Sequence, residues 1–516
     1  MRREFAQLAL LLAAATMAAP ILAPNAEAAL RNRYSFTTDA TDSVGGQNGT
    51  LIGTNGSFAG GQLVLANNGE GSQNPGTAGA YLDLPNGLIT SASAAGTSGA
   101  VTVEMWVTMS ANRDWAAAFT AGTSINGENT SDCCNDDQPY IQIIPRTGDG
   151  GQGNDFRVTS NSYGGAEGFV DDAGAGNGTD LAIGRKEHVV AVFDQSAGMP
   201  GNITVYRNGT SMGTVPIAAN LNLNTFLKAD NSGGDVNIWL GRSQWPDALA
   251  AASYDELRIY SNALSAQEAL AGTVYGPDVT GATAIPSIEV NKNTGVVTLK
   301  NPTAAPVSLE YYSITSTAGG LKTDTWNSLD AQNYNAVDGP DGGSTPGDSA
   351  GEGWDKAGGS NANQLIEAFL GTAGSVLASN ATLSLGAAYN PATFGGADGD
   401  LVFKFGIAGG SLITAPVTYV SGSVAGDYNG DGVVNAADYT KWRDTLGANV
   451  TAGSAADGSG NGIVDQADYT FWKTRFGNTS GAGSIGGGAV PEPASLALVF
   501  VAAAALGASR RTRSEN

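Results

Sequence analysis

Oxygen-bearing side chains recur at a fixed spacing in the last quarter of the sequence. Asp427, Asn429, Asp431, Asn435 and Asp438 fall at positions 1, 3, 5, 9 and 12 of one stretch. Asp457, Ser459, Asn461, Asp465 and Asp468 repeat the spacing. A Ca²⁺ ion takes about six to eight hard oxygens at roughly 2.3–2.6 Å, and a twelve-residue loop brings them to one point only by turning sharply at its sixth residue. Gly432 and Gly462 occupy that turn, and the carbonyls of Val433 and Ile463 fall at position 7. The chemistry predicted is calcium binding, one ion per loop and two in all.

Such loops must be carried by helices with a shared core. Val434 and Val464 supply an apolar residue at position 8. Each loop then runs into a predicted helix with apolar residues at i, i+3 and i+7: Tyr439, Trp442 and Leu446 in the first, Tyr469, Trp472 and Phe476 in the second. Gly447 and Gly477 are the stop signals. One acidic, Gly-rich loop would say little in a chain with 73 glycines, but two copies in register argue for a duplicated unit. The pair resembles a type I dockerin, a tandem of loop-plus-helix half EF-hands, with Asp at position 12. The resemblance implies a cohesin-like or other docking protein as partner, facing the helices and loop positions 10 and 11. Those positions are Ala436, Ala437, Gln466 and Ala467 instead of the hydroxyl pair often seen, so the resemblance carries calcium further than it carries the partner.

The chain has 516 residues, enough for about three folded units, and a net charge of −23. That balance argues against nucleic acid and anionic membrane surfaces as partners. Met1, Arg2 and Arg3, an apolar run from Leu8 to Leu22, and Ala26-Glu27-Ala28 together read as a secretory signal peptide over 1–28. The two cysteines, Cys133 and Cys134, are adjacent, and Cα atoms about 3.8 Å apart lie below the usual disulfide range. Their surroundings leave three readings open: inert thiols, a second cation site, or a redox-sensitive clip.

Residues 29–275 alternate short period-2 strands with Gly, Asn and Asp turns, and helical periodicity is nearly absent until residue 264. Strands are expected at Val101–Val107, Tyr140–Ile144, His188–Phe193 and Val236–Leu240. Asn208-Gly209 closes a hairpin from Asn202 to Val215. The pattern predicts an all-β sandwich or jelly roll. The stretches Tyr34–Phe36, Asp42–Gly46, Ala80–Leu84, Val103–Trp106, His188–Asp194, Tyr206–Gly209 and Asp255–Tyr260, followed by Ser265-Ala266-Gln267-Glu268 as a capping box, are similar to the laminin-G-like, concanavalin A-like jelly roll. That resemblance implies recognition of a polysaccharide, a glycoprotein or another protein ligand.

Catalysis is the rival reading. Related glucanases carry Glu-x-Asp-x-x-Glu on one strand, because retaining hydrolysis sets two carboxyls about 5–5.5 Å apart. This sequence lacks that spacing: Asp255 and Glu256 are adjacent and point to opposite faces of a strand, and Glu104 is the sole acid on its strand. With a single histidine, His188, in an apolar strand, neither a Ser-His-Asp triad nor a His-rich metal site is expected. The chain therefore leans toward no enzyme; if it is one, it is a hydrolase acting on O-glycosyl bonds, or a lyase. Trp115, Tyr163 and Trp245 sit in loop-like surroundings where an aromatic face can stack on a sugar ring, with core packing as the alternative.

After a linker over 276–285, residues 286–421 give a second β pattern, with strands expected at Ser287–Val290, Gly295–Leu299, Leu309–Ile314, Asp400–Phe405 and Val417–Val420. This resembles the small β-sandwich that separates a lectin-like head from a dockerin in bacterial surface proteins. Asp338, Asp341 and Asp348 lie in a Gly-rich stretch read as a solvated loop. The calcium-loop unit spans 426–478 and a Gly/Ser linker 479–489. Residues 490–516 join Pro491-Glu492-Pro493, the apolar run Leu496–Ala508 and Arg510, Arg511 and Arg513, and resemble a PEP-CTERM sorting signal. An exosortase-type processing enzyme is the implied partner, and the apolar run is read as a short C-terminal transmembrane helix, below the roughly 20 residues that span comfortably, which tethers the chain to the membrane before processing. The whole reads as a mainly β, exported protein of the cell surface or outer envelope that binds rather than cuts. A structural matrix protein is the third alternative.

Overall fold

In a computed structural model of the chain, residues 29–478 are described except 96–98, 133–136, 149–154, 172–178, 336–352, 357, 372–373, 408–409, 411, 421–424 and 430–433. The chain divides into two compact units, Met1–Thr283 and Ala284–Asn516.

The first unit opens with β1 (Leu30–Tyr34), β2 (Thr50–Ile52), β3 (Gly56–Ala59), β4 (Gln62–Leu65) and β5 (Tyr81–Leu84), followed by α1 (Leu88–Ala94). Next come β6 (Ala100–Ala111), β7 (Phe119–Gly122), β8 (Tyr140–Ile144), β9 (Arg157–Asn161) and β10 (Glu167–Asp171). It closes with β11 (Lys186–Asp194), β12 (Asn202–Arg207), β13 (Thr210–Pro216), β14 (Asn237–Leu240), β15 (Ala251–Tyr260) and α2 (Ala266–Tyr275).

These strands form two antiparallel sheets. One runs β13-β12-β11-β6-β15-β4-β3 with β1 on β15; the other runs β10-β9-β8-β7-β14-β5-β2. Side chains alternate across a strand, so Val101, Val103, Met105 and Val107 of β6 face the same core as Leu82, Ile141, Ile143, Val158 and Ile238 of the second sheet. The other face of β6 carries Thr102, Glu104 and Trp106, and these too are buried. β6 is therefore buried on both faces although its sequence keeps a period-2 alternation of apolar and polar residues. The Asn208-Gly209 hairpin forms as its sequence dictates, with φ 50° and 77° at the two turn residues. The Ser265 capping box also forms: Ser265 Oγ accepts the Glu268 N–H at 3.2 Å, while Glu268 accepts the Ser265 N–H at 2.8 Å.

Helix α1 departs from expectation, since the local sequence carries no helical signal and Gly87 offers no side chain as a cap. Its first N–H groups are met instead by the carboxylate of Asp235, which accepts from Ile89 N at 2.8 Å and Thr90 N at 2.9 Å.

The second unit contains two sheets and three helices among the described residues. Its strands are β16 (Ser287–Asn291), β17 (Val297–Lys300), β18 (Val307–Thr315), β19 (Trp354–Lys356), β20 (Gln364–Phe369), β21 (Ser375–Leu377), β22 (Thr382–Ser384), β23 (Val402–Ile407), β24 (Ile413–Ala415) and β25 (Val417–Val420). One sheet runs β22-β17-β16-β25, with β16 and β25 parallel; the other runs β19-β20-β18-β23-β24, with β21 on β18. The helices are α3 (Pro391–Phe394), α4 (Ala436–Thr445) and α5 (Gln466–Lys473). Helices α4 and α5 gather Tyr428, Val434, Trp442, Ala456, Val464 and Trp472 into a small core of their own. Leu446, expected on the apolar face of the first helix, is 55% exposed, because α4 ends at Thr445 and Leu446 already turns away.

Candidate functional site

A cleft of about 360 Å³ opens on the outer face of the second sheet of the first unit. Its floor is set by strand register. Tyr140, Gln142 and Ile144 of β8 stand directly opposite Asn161, Thr159 and Arg157 of β9. The alternate residues Ile141, Ile143 and Val158 point into the core, so the pleat sends one set to the core and the other to the cleft. The walls are Trp115, in the loop before β7, Trp245 and Asp247, after β14, and Gly165 and Glu167, at the β9–β10 turn.

The two tryptophans are held by different means. Trp245 donates its Nε1–H to the Tyr140 hydroxyl at 2.9 Å. Trp115 sits at φ 61°, a left-handed conformation rare for an aromatic residue and a local strain of the sort that gathers at functional sites. The guanidinium of Arg157 lies 5.5 Å from the centre of the Trp115 ring and 3.9 Å from that of Phe169.

The cleft's charges are partly balanced. Arg157 faces Glu167 at 3.9 Å and Asp171 at 3.4 Å. Glu167 accepts the Thr159 hydroxyl at 2.8 Å. Burial pushes the Asp247 carboxyl up to about 6, against the opposing effect of the Ser243 hydroxyl that donates to it at 3.1 Å. Burial also pushes the Tyr140 phenol well above its ordinary value. The cleft therefore joins two aromatic walls, amide groups and two carboxyls, Glu167 and Asp247.

His188 lies on the other sheet and serves structure. Its Nε2 meets Glu104 Oε1 at 2.9 Å, its Nδ1 meets Thr273 Oγ1 at 2.6 Å, and its ring stacks on Trp106 with centres 4.3 Å apart. Glu104 also pairs with Arg258 at 3.3 Å and accepts the Tyr260 hydroxyl at 2.6 Å. Burial alone would raise Glu104, but the His188 bond and the Arg258 charge outweigh it and hold the carboxyl below its ordinary value. Asp255 and Glu256 do face opposite ways: Asp255 pairs with Lys186, while buried Glu256 takes Arg33 in a two-point bond at 3.0 and 2.8 Å. Gly272 of α2 sits so close to Glu104 that a Cβ there would fall 2.4 Å from its Oε1. This network locks α2 onto the sheet.

In the tandem loops, Asp457 accepts N–H groups from Gly453, Gly460, Asn461 and Gly462 at 2.7–3.1 Å, and the Ser459 hydroxyl. Desolvation opposes ionisation there, yet those donors prevail and hold Asp457 at about 2. Gly462 makes the sixth-position turn at φ 82°. Asp438 and Asp468 reach back to the N–H groups of Asn435 and Asp465 at 2.8 and 2.7 Å, closing a capping box at the start of each helix. Asn461 Nδ2 donates to Asp465 at 3.0 Å, and Asn429 offers its backbone N–H to Asp438 at 3.0 Å. The two halves close each other. Val464 N bonds Ala448 O at 2.9 Å after α4, and Val434 N bonds Asn478 O at 2.8 Å after α5. The donors are the hard oxygens a calcium loop uses. Among the described residues, no three His, Cys, Asp or Glu side chains converge as a metal-holding group.

Of the residues named from sequence, Trp115 and Trp245 meet in one cleft. Tyr163 lies at the β9–β10 turn and is not among the residues lining it. Asp427 is buried, whereas Ile463 is 44% exposed. Asp431, Val433, Cys133, Cys134, the stretch with Asp338, Asp341 and Asp348, residues 1–28, and Pro491, Glu492 and Pro493 lie outside the described residues. No helix among the described residues is long and apolar enough to cross a membrane. Sequence reasoning missed the floor residues and the carboxyls of Glu167 and Asp247. Polar residues alternating with apolar ones, Tyr-x-Gln in β8 and Arg-x-Thr-x-Asn in β9, were the available signal.

Comparison with known proteins agrees with this architecture for one part of the chain. No curated protein matches the sequence. Among solved structures, the chain is similar to domain 4 of AbnA, a GH43 extracellular arabinanase from Geobacillus stearothermophilus, in complex with arabinotriose. Identity is 22%, the TM-score is 0.33, and 48% of this chain and 98% of that one are covered. It is also similar to the botulinum neurotoxin type G receptor binding domain, at 12% identity and TM-score 0.30, covering 57% of this chain and 58% of that one. The Trypanosoma rangeli sialidase in complex with 2,3-difluorosialic acid matches at 11% identity and TM-score 0.29, covering 47% of this chain and 32% of that one. Residues 76–269, most of the two-sheet body of the first unit, match the family described as the concanavalin A-like lectin/glucanases superfamily.

Proposed function

We propose that this is a non-catalytic, exported binding protein whose jelly roll holds carbohydrate in the cleft between Trp115 and Trp245. The observation that carries the reading is the pair of aromatic walls over a floor of Tyr140, Gln142, Thr159 and Asn161. Sugar rings present apolar C–H faces to aromatics and hydroxyls to amides and carboxyls, and binding sites of this size class combine those two kinds of group. The test is a glycan array on the full chain, with and without calcium. Retention of a glycan that is lost on Trp245→Ala supports the reading, and a blank array overturns it.

In this proposal the loops at 427–438 and 457–468 each hold one Ca²⁺. The ligands are Asp427, Asn429, Asp431, the carbonyl of Val433, Asn435 and Asp438 in the first loop, and Asp457, Ser459, Asn461, the carbonyl of Ile463, Asp465 and Asp468 in the second. The donor chemistry, the turn at Gly462 and the reciprocal closure of the halves support it. The module then docks the chain to a cohesin-like or other protein. Residues 1–28 direct export, and the tail from Pro491 is handled by an exosortase-type enzyme at the cell envelope.

A second reading, polysaccharide hydrolysis, is favoured by one observation: Glu167 and Asp247 line the same cleft, and burial raises the Asp247 carboxyl to about 6, in the range of a group that can donate a proton. Release of reducing sugar by the full chain, abolished by Glu167→Gln, would replace the binding reading with this one.

A further inference from the structure

The ligand's charge can be read from the cleft. Arg157 is the one Lys or Arg among the described lining residues. Its positive charge is already engaged by Glu167 at 3.9 Å and Asp171 at 3.4 Å, while the faces of Phe169 and Trp115 lie against the guanidinium. The remaining ionisable lining groups include two carboxyls, Glu167 and Asp247. A carboxylate or sulfate entering the cleft would meet these two acids with no uncommitted Lys or Arg among the described lining residues to receive it, inside a protein whose net charge is −23. Hydroxyl groups face no such penalty. A carboxylate has acceptor capacity for several donors, and Glu167 and Asp247 each take one protein hydroxyl, from Thr159 and Ser243. Trp115 and Trp245 serve the apolar faces of the same rings.

We propose that the cleft selects uncharged polysaccharide chains and rejects anionic ones, an inference that rests on reading the cleft as the glycan site. Repulsion from the walls sets this preference, and stacking supplies the affinity.

The experiment is affinity electrophoresis of the full chain against two sets of polymers at matched load. One set is neutral (arabinan, xylan, mixed-linkage glucan and mannan), and the other is anionic (polygalacturonate, alginate and a sulfated galactan). The expected result is retention by at least one neutral polymer and by no anionic one. Trp245→Ala should weaken that retention at least about tenfold, with an unchanged melting temperature. Trp115→Ala serves if the first variant does not fold. The double variant Glu167→Gln, Asp247→Asn should gain anionic binding, and failure to gain it overturns the charge argument. Tryptophan-dependent binding confined to the anionic set, or equal in both, overturns the charge argument while leaving the cleft as the glycan site. Retention by neither set overturns the cleft reading and the proposal with it.

Discussion

The indole of Trp442 donates its Nε1–H to the backbone carbonyl of Asp465 at 2.8 Å, joining the helix of one half of the duplicated module to the loop of the other. Trp472 returns the bond to the carbonyl of Asn435 at 3.0 Å. Asn435 and Asp465 are the ninth residues of their loops and the N-caps of their helices. Trp442→Phe keeps an aromatic ring and removes the donor. It should cost about 1–2 kcal/mol, read from urea unfolding followed by tryptophan fluorescence. Calcium titration of the same variant should show weakened binding in the loop of Asp465, which Trp442 touches only through the backbone.

Calcium removal should loosen residues 426–478 selectively. Six carboxylates, Asp427, Asp431, Asp438, Asp457, Asp465 and Asp468, share a small module, and without a cation their mutual repulsion opposes its folding. Hydrogen exchange with and without a chelator is the measurement. Protection of Val434 and Val464 amides should fall on chelation while β6 and β11 stay protected. Equal protection in both conditions would refute calcium-linked folding.

The Tyr140 hydroxyl orients a cleft wall, since it accepts the Trp245 indole N–H at 2.9 Å. Tyr140→Phe should leave the melting temperature within a few degrees, corresponding to about 1 kcal/mol. Glycan binding should weaken several-fold, because the Trp245 ring loses its anchor. A variant that binds as tightly as the parent would deny Tyr140 this positioning role.

Asp247 predicts a pH dependence. Its folded value of about 6 lies above the ordinary 3.8, so the native state prefers the protonated form. That preference is fully present below about pH 4 and is lost as pH rises through about 6, so stability falls across that window. Asp247→Asn abolishes the dependence, and the difference in stability between the two proteins should change by roughly 1–2 kcal/mol from pH 4 to pH 7. Thermal melts at several pH values measure it; parallel pH profiles would contradict it.

Glu104 is tied to His188, Arg258 and Tyr260 in a fully buried setting. Removing one partner of a buried charge pair typically costs about 3–5 kcal/mol, because the other charge stays behind. Glu104→Gln should destabilise the first unit by that order in chemical denaturation. Glycan binding by the folded fraction should be unchanged, since the network and the cleft belong to different sheets. Lost binding at full folding would give His188 and Glu104 a functional role.

Period-2 runs, the Asn208-Gly209 turn and the Ser265 capping box are local signals, and they led to the two-sheet body directly. Helix α1 was not legible because its cap comes from Asp235, far along the chain. The cleft was half legible for a similar reason. Trp115 and Trp245 stand out as aromatics in loops, whereas Gln142, Thr159 and Glu167 become neighbours only through the register of β8, β9 and β10. Leu446 was misread because a helical period continues on paper past the residue where α4 ends.

The register of β8 and β9 also separates two duties of the sequence. Tyr140, Gln142 and Ile144, with Asn161, Thr159 and Arg157, line the cleft, while Ile141, Ile143 and Val158 between them build the core. The cleft's lettering can therefore be rewritten one cross-strand pair at a time with the scaffold's own text left intact. On the glycan-binding reading proposed above, the first unit is a template on which new sugar specificities can be selected from a library confined to the outward positions.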